Sequence, residues 1–209
     1  MTLTEALLEA CFRDTRLPQD PTRVELPGGT DRWPSFLADK LADTLKPAGV
    51  LIPVMRRADG FHVLLTRRSA ELKHHAGQVS FPGGRMEDED KDIADTALRE
   101  THEEVGIPPR DVRVIGYLRP TPTFTGYAVT PTIGLIDGAV ELNIDASEVE
   151  SAFEVPLEFL LDPENYSQAE REFQGRRFPV LEVRYDGQRI WGATAYMLSR
   201  FIKTIKNNR

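Results

Sequence analysis

The sequence predicts an α+β fold, an α-β-α sandwich around a mixed central sheet. Three observations carry that expectation. Strand candidates and helical patterns follow one another without strict alternation. One helical pattern, over 92–105, is strong and carries its own stop signals. The 209 residues, 40% apolar and 28% charged, supply enough apolar surface for one core with at most a small appendage.

The elements follow in chain order. Leu3, Leu7, Leu8 and Cys11 recur at helical spacing, then Pro18, Pro21, Pro27, Gly28, Gly29 and Pro34 break the chain into a loop. Phe36, Leu37, Leu41 and Leu45 resume the helical period up to Pro47. Residues 1–47 are therefore expected to form a helical extension packed on the core, and 48–209 the main domain. Gly49 to Arg57 and Phe61 to Thr66 read as two strands joined by the turn Ala58-Asp59-Gly60, a hairpin. After the 92–105 helix, Gly106 stands at the C′ position with Pro108 just beyond. Val112 to Leu118 and Val129 to Ile136 read as strands. A second hairpin turns at Asp186-Gly187 between Val180 to Tyr185 and Ile190-Trp191. A closing helix runs from about Thr194 to Ile205.

Composition excludes several functions. The net charge of −7 argues against a uniformly basic nucleic-acid binder. No apolar run is long enough to span a membrane. The first residues, with Glu5 and Glu9, lack the pattern of a signal peptide. The single cysteine, Cys11, cannot form an internal disulfide or a zinc ribbon and suggests a reducing compartment, so a cytoplasmic protein is expected.

The sharpest chemistry lies in Arg99-Glu100-Thr101-His102-Glu103-Glu104-Val105-Gly106-Ile107. On a helix Glu100 faces Glu103 and Glu104, while Ile93, Ala97, Thr101 and Val105 form an apolar face. Like charges at that spacing cost about 0.2–0.5 kcal/mol per pair. A hard divalent cation held by oxygen ligands would offset the cost; the alternative is a solvated acidic face. Upstream, the glycines of Phe81-Pro82-Gly83-Gly84-Arg85 let backbone approach a ligand.

Taken together, Gly84, Arg99-Glu100, Glu103-Glu104 and Gly106-Ile107 resemble the Nudix box, whose owners hydrolyse a nucleoside diphosphate linked to another moiety. The span from Gly84 to Arg99 is one residue longer than the common spacing, so either Glu89 or Asp90 could be the mid-box acid. Thr101 stands where an aliphatic residue is usual, with its methyl available to the core. The resemblance implies a Nudix-type sandwich and Mg²⁺ or Mn²⁺ as cofactor. It implies Glu100, Glu103 and Glu104 as metal ligands and catalytic groups, with Glu100 as ligand or base. The Gly83 carbonyl would join the metal shell, and Arg99 would brace the box against its mid-box acid. A later acid often completes such sites; Glu148 is the candidate and Glu150 its competitor.

Leu64-Leu65-Thr66-Arg67-Arg68-Ser69, Lys73, Gly77 and Phe81-Pro82-Gly83-Gly84 resemble the additional motif of the coenzyme A pyrophosphatase branch, with Lys73 where that branch has arginine. Further likeness, at Pro122-Thr123, Gly126 to Pro131, Glu148 to Leu157 and Ile190 to Ala195, extends the resemblance over roughly 48–206. It implies cleavage of coenzyme A, and of its esters, to 4′-phosphopantetheine and adenosine 3′,5′-bisphosphate. Arg68, Lys73, Gly77 and Arg85 become candidate substrate contacts, and Phe124 and Tyr127 could line the cleft. In a strand only one of Arg67 and Arg68 can face the site, and the motif selects Arg68. His74, His75 and His102 lie near these motifs, and each reads more readily as a surface residue than as a ligand. The partner expected is a small-molecule substrate, with no nucleic acid and no membrane. A dimer is common in the family, so a homodimer is admitted, though no residue specifies one. The rivals are a Nudix diphosphatase for another substrate, such as ADP-ribose, and a non-catalytic nucleotide sensor.

Overall fold

A computed structural model describes residues 3–24, 45–72, 75–138, 140–173 and 176–208. Helix α1 (Glu5–Phe12) is followed by β1 (Lys46–Arg57), β2 (Gly60–Arg68), β3 (Val79–Ser80) and β4 (Gly83–Arg85). Helix α2 (Ile93–Val105) leads to β5 (Arg113–Tyr117), β6 (Thr121–Pro122), β7 (Tyr127–Ile136) and β8 (Val149–Pro156). Then come α3 (Leu157–Leu161), β9 (Tyr166–Phe173), β10 (Arg176–Tyr185), β11 (Gln188–Trp191) and α4 (Gly192–Asn207).

The central sheet is mixed, as expected. Its order is β3-β2-β1-β7-β5, with β4 on β1, β6 on β7 and β8 on β2. β1 runs parallel to β7 and antiparallel to β2 and β4. A second sheet, β11-β10-β9, is antiparallel throughout. β1 is buried on both faces, so it reads as a nearly continuous apolar run. Its alternation still divides the core. Leu51 and Met55 join Ala97, Val105, Ile107 and Val112 beside α2. Ile52 and Val54 join Phe12, Leu198, Phe201 and Ile205 of α1 and α4 on the other side. The Phe12 and Phe201 rings stack at 5.5 Å, which ties α1 to the closing helix. Helices thus cover both faces of the sheet.

Several expectations shift at their edges. β1 begins at Lys46 and β7 at Tyr127, and the closing helix runs from Gly192 to Asn207. The helix expected over 36–45 lies outside the described residues, except for Leu45, which is buried. No helix among the described residues is long and apolar enough to cross a membrane.

Candidate active site

Helix α2 positions the acidic cluster, and its two ends are fixed by sequence. Asp92 caps the start, accepting hydrogen bonds from the Ala94 and Asp95 amides at 2.9 Å each. Gly106 ends the helix in the left-handed region, at φ 76°, with its N–H bonded to the His102 carbonyl. Ile93, Ala97, Thr101 and Val105 are buried, as the helical period predicts.

Two glycines let this helix reach the sheet. Gly49 of β1 pairs directly with Gly84 of β4. A Cβ at Gly49 would collide with the Ile93 carbonyl oxygen, and a Cβ at Gly84 with the Glu100 carboxylate. The Gly83-Gly84 backbone therefore lies against the acidic end of α2. There the Gly83 amide donates to Glu104 Oε2 at 3.3 Å.

Arg99 organises the cluster. Its Nε and Nη2 donate to the two Asp90 oxygens at 2.8 and 3.0 Å. Its Nη1 donates to Glu100 Oε1 at 3.0 Å and Glu103 Oε2 at 2.9 Å, and Nη2 also reaches the Arg85 carbonyl. The acid that meets Arg99 is Asp90 rather than Glu89, which is exposed. Asp90 also accepts from the Glu87 amide and the Thr96 hydroxyl. The Arg99 hydrogen bonds hold its carboxyl down at about 2, against the opposing effect of burial.

Glu104 is the opposite case. Burial pushes its carboxyl up to about 7; Arg68 opposes this, and the Glu100 and Glu148 charges reinforce it. Arg68 meets Glu104 Oε1 at 3.3 Å. Glu100 is likewise raised, first by burial and then by Glu103 and Glu148, with Arg99 opposing. These groups sit in the C-terminal turns of α2, where the helix dipole adds negative potential. Among the described residues no three acidic, histidine or cysteine side chains enclose a common point. Arg99 holds Glu100 and Glu103, while Arg68 holds Glu104. The donor set is all oxygen, and Glu104 is a sealed carboxylate only partly balanced by Arg68. That chemistry suits a hard divalent cation.

The remaining candidates divide. At a bulge between Arg67 and Arg68, the first turns to Glu150 at 3.3 Å and the second to Glu104. Glu148 is exposed, and its charge acts on Glu100 and Glu104, whereas Glu150 is occupied by Arg67. Gly77 takes φ +66° and donates its N–H to the Arg68 carbonyl, closing the turn after β2. The Arg85 side chain is exposed and reaches Glu87 at 3.9 Å; its carbonyl is what meets Arg99. Phe124 stands exposed in the turn before β7, while Tyr127 packs against the core. His75 meets Gln78 at 2.9 Å and His102 is exposed. Lys73 and His74 lie outside the described residues. Gly49 was not anticipated as a site residue. Its only signal is a glycine inside an apolar strand, which marks a close backbone approach.

The family described as NUDIX domain matches residues 45–194. A relative from Photorhabdus laumondii, named Uncharacterized Nudix hydrolase NudL, is 40% identical over 167 residues, 80% of this chain and 89% of its own length. A relative of the same name from Citrobacter koseri is 43% identical over 150 residues, 72% of this chain and 78% of its own. Among solved structures, the MutT protein from Methanosarcina mazei Go1 aligns with TM-score 0.48 and 19% identity, covering 77% of this chain and 94% of that one. With the acidic helix, its arginine and the glycine loop in place, the match over most of the chain means that it belongs to the Nudix hydrolase family.

Proposed function

We propose that this Nudix hydrolase cleaves the diphosphate of coenzyme A, and of its esters, to 4′-phosphopantetheine and adenosine 3′,5′-bisphosphate. The observation that carries the reading is the Leu64 to Gly84 segment. It matches the spacing of the coenzyme A pyrophosphatase motif and runs from Arg68, on Glu104, to Gly83, on the same carboxylate.

Glu100, Glu103, Glu104 and the Gly83 carbonyl would hold Mg²⁺ or Mn²⁺. Such an ion neutralises charge on the diphosphate and lowers the pKa of an attacking water. The protein's own groups do the rest. Arg99 keeps Glu100 and Glu103 in register, and the pairing of Gly84 with Gly49 keeps the loop close to Glu100. Glu148, exposed and with its charge acting on Glu100 and Glu104, would accept a proton from the attacking water. Lys73, Gly77, Arg85, Phe124 and Tyr127 are the further substrate candidates. In this reading the enzyme works in the cytoplasm on a small-molecule substrate, without nucleic acid or membrane.

One experiment tests it. The protein is incubated with coenzyme A, ADP-ribose, NADH and 8-oxo-dGTP in Mg²⁺, and the products are identified by mass. Coenzyme A is expected to give the two named products with the highest kcat/KM. Far faster turnover of ADP-ribose would overturn the substrate. Failure of all four to react, with nucleotide binding intact, would favour a sensor.

A further inference from the structure

The second sheet has one face in the core and one outside. Val183 and Ile190 are buried in the core, and the Tyr185 ring meets Phe159 at 4.9 Å. Strand alternation sends Arg171, Glu182, Arg184, Arg189 and Trp191 to the other face. That face is cationic. Glu182 is only 2% exposed, and Arg184 and Arg189 donate their Nε atoms to its two oxygens at 2.6 Å. The Arg189 bond, joined by Arg184, holds the Glu182 carboxyl below the usual carboxylate range.

Arg171 lies over Trp191, with Cζ 4.4 Å from the ring centroid, and Arg189 stands 5.7 Å from the same ring. The Arg171 Nε is buried without a hydrogen-bond partner among the described residues. Two guanidiniums thus share the Glu182 carboxylate and the third, that of Arg171, is stacked on Trp191, which together leaves two positive charges on one face of a chain of net charge −7. A phosphate monoester carries about −1.5 to −2 charge at neutral pH and three acceptor oxygens, which matches that excess. Guanidiniums held by stacking and by a buried carboxylate are preorganised for such an anion.

The face is also tied to the catalytic loop. β11 packs beside β3, and the buried Thr194 hydroxyl donates to the Val79 carbonyl at 3.0 Å. Val79 precedes Gly83 by a chain path of at most about 14 Å.

We propose that Arg171, Arg184 and Arg189 bind a phosphate monoester of the substrate, away from its diphosphate, with Trp191 fixing Arg171. Assigning this group to the 3′-phosphate of coenzyme A rests on the proposed function.

The test uses the full chain and two readouts. In chelator, calorimetric titration compares 3′-AMP with adenosine. In Mg²⁺, the ratio of kcat/KM for coenzyme A to that for dephospho-coenzyme A is measured. Arg171→Gln and Arg184→Gln are each expected to weaken 3′-AMP about tenfold or more and to lower the ratio alike. Arg171→Lys keeps the charge but loses the planar stack, so it falls between. Arg177→Gln is the control. Arg177 lies on the opposite face of the same hairpin, 3.7 Å from Glu170, so it should move neither quantity. Should Arg184→Gln uncover Glu182 and unfold the protein, the Arg171 pair still decides. Equal losses in the Arg177 variant, or 3′-AMP binding unchanged in the Arg171 variants, would overturn the site. If neither coenzyme is hydrolysed but 3′-AMP binding falls with Arg171→Gln, the site stands and the coenzyme A reading fails. If coenzyme A is hydrolysed and the ratio does not move, the site fails and the reading stands.

Discussion

Asp90 and Glu104 are carboxylates of one loop-helix unit, with side chains 3% and 2% exposed, yet their protons are held in opposite ways. Asp90 meets a two-pronged guanidinium, a backbone amide and a hydroxyl, and its carboxyl falls to about 2. Glu104 meets one arginine nitrogen and one amide, both at 3.3 Å, and faces the charges of Glu100 and Glu148; its carboxyl rises to about 7. Burial, which raises both, therefore accounts for the direction at Glu104 but not at Asp90. The number and quality of donors decide whether a sealed carboxylate is a structural anchor or a site with charge left to neutralise.

The largest expected break in this contrast is Glu104→Gln. The change keeps shape and removes the under-balanced charge. If Glu104 is a metal ligand, kcat in Mg²⁺ should fall at least ~10²-fold; near-normal turnover would remove it from the site. Stability of the metal-free protein should move the other way. Glu104 titrates at about 7 in the fold against an ordinary 4.5, so its ionisation costs stability increasingly as pH rises through that window. Denaturant unfolding in chelator should show the Gln variant more stable above pH 7, by an amount of order 3 kcal/mol, with the gap closing by about pH 4.5.

Gly84→Ala comes next. Its methyl would displace the Glu100 carboxylate, and a misplacement of that kind costs about ten- to a hundredfold in rate. An alanine variant with full activity would show that Glu100 need not hold its position against the loop.

Asp90→Asn tests the other half of the comparison. An amide nitrogen facing Arg99 replaces an acceptor with a donor, so stability at pH 6 should drop by about 2 kcal/mol. The sign with pH is opposite to that of Glu104. Because Asp90 titrates at about 2 rather than 3.8, its contribution is complete above pH 3.8 and lost as pH falls toward 2. The gap between wild type and variant in stepped-pH unfolding should therefore narrow over that interval. A gap that stays constant would mean that Arg99 does not depend on the Asp90 charge.

What the sequence revealed followed how local each feature is. The glutamates, Arg99, the Gly106 cap and the Asp59-Gly60 turn work through neighbours a few residues away, and their spacing exposes them; the Asp92 cap is equally local but shows only in the structure, where the helix starts one residue later than its pattern suggests. The choice between Glu89 and Asp90 was not legible, because it depends on the loop path that turns Asp90 back onto the Glu87 amide. Nor was β9, whose Tyr166–Phe173 segment is mostly polar and is a strand because β10 pairs with it. β8 was equally hidden: its residues 151–154 are only half-buried, and its register comes from β2. Gly49 opens an apolar run in the sequence, and its role was hidden because the α2 backbone that lies against it comes from more than forty residues away.

The smallest expected effect concerns Thr101, where the box usually has an aliphatic residue. Its side chain is fully buried, and its hydroxyl donates to the Ala97 carbonyl at 2.6 Å, one turn back on its own helix. The hydroxyl is thus satisfied within α2 and reaches nothing in the acidic cluster. Thr101→Val would replace it by a methyl of similar volume on the Ala97 side. The loss of one local hydrogen bond, worth about 1 kcal/mol, is opposed by the gain from burying that methyl, about 0.8 kcal/mol. Stability should therefore change by less than about 1 kcal/mol, and kcat should stay at the wild-type value, as denaturant unfolding and steady-state rates would show. A tenfold loss of kcat in a variant of unchanged stability would mean that the hydroxyl acts on the Glu100 turn, which the hydrogen bond to Ala97 gives no reason to expect.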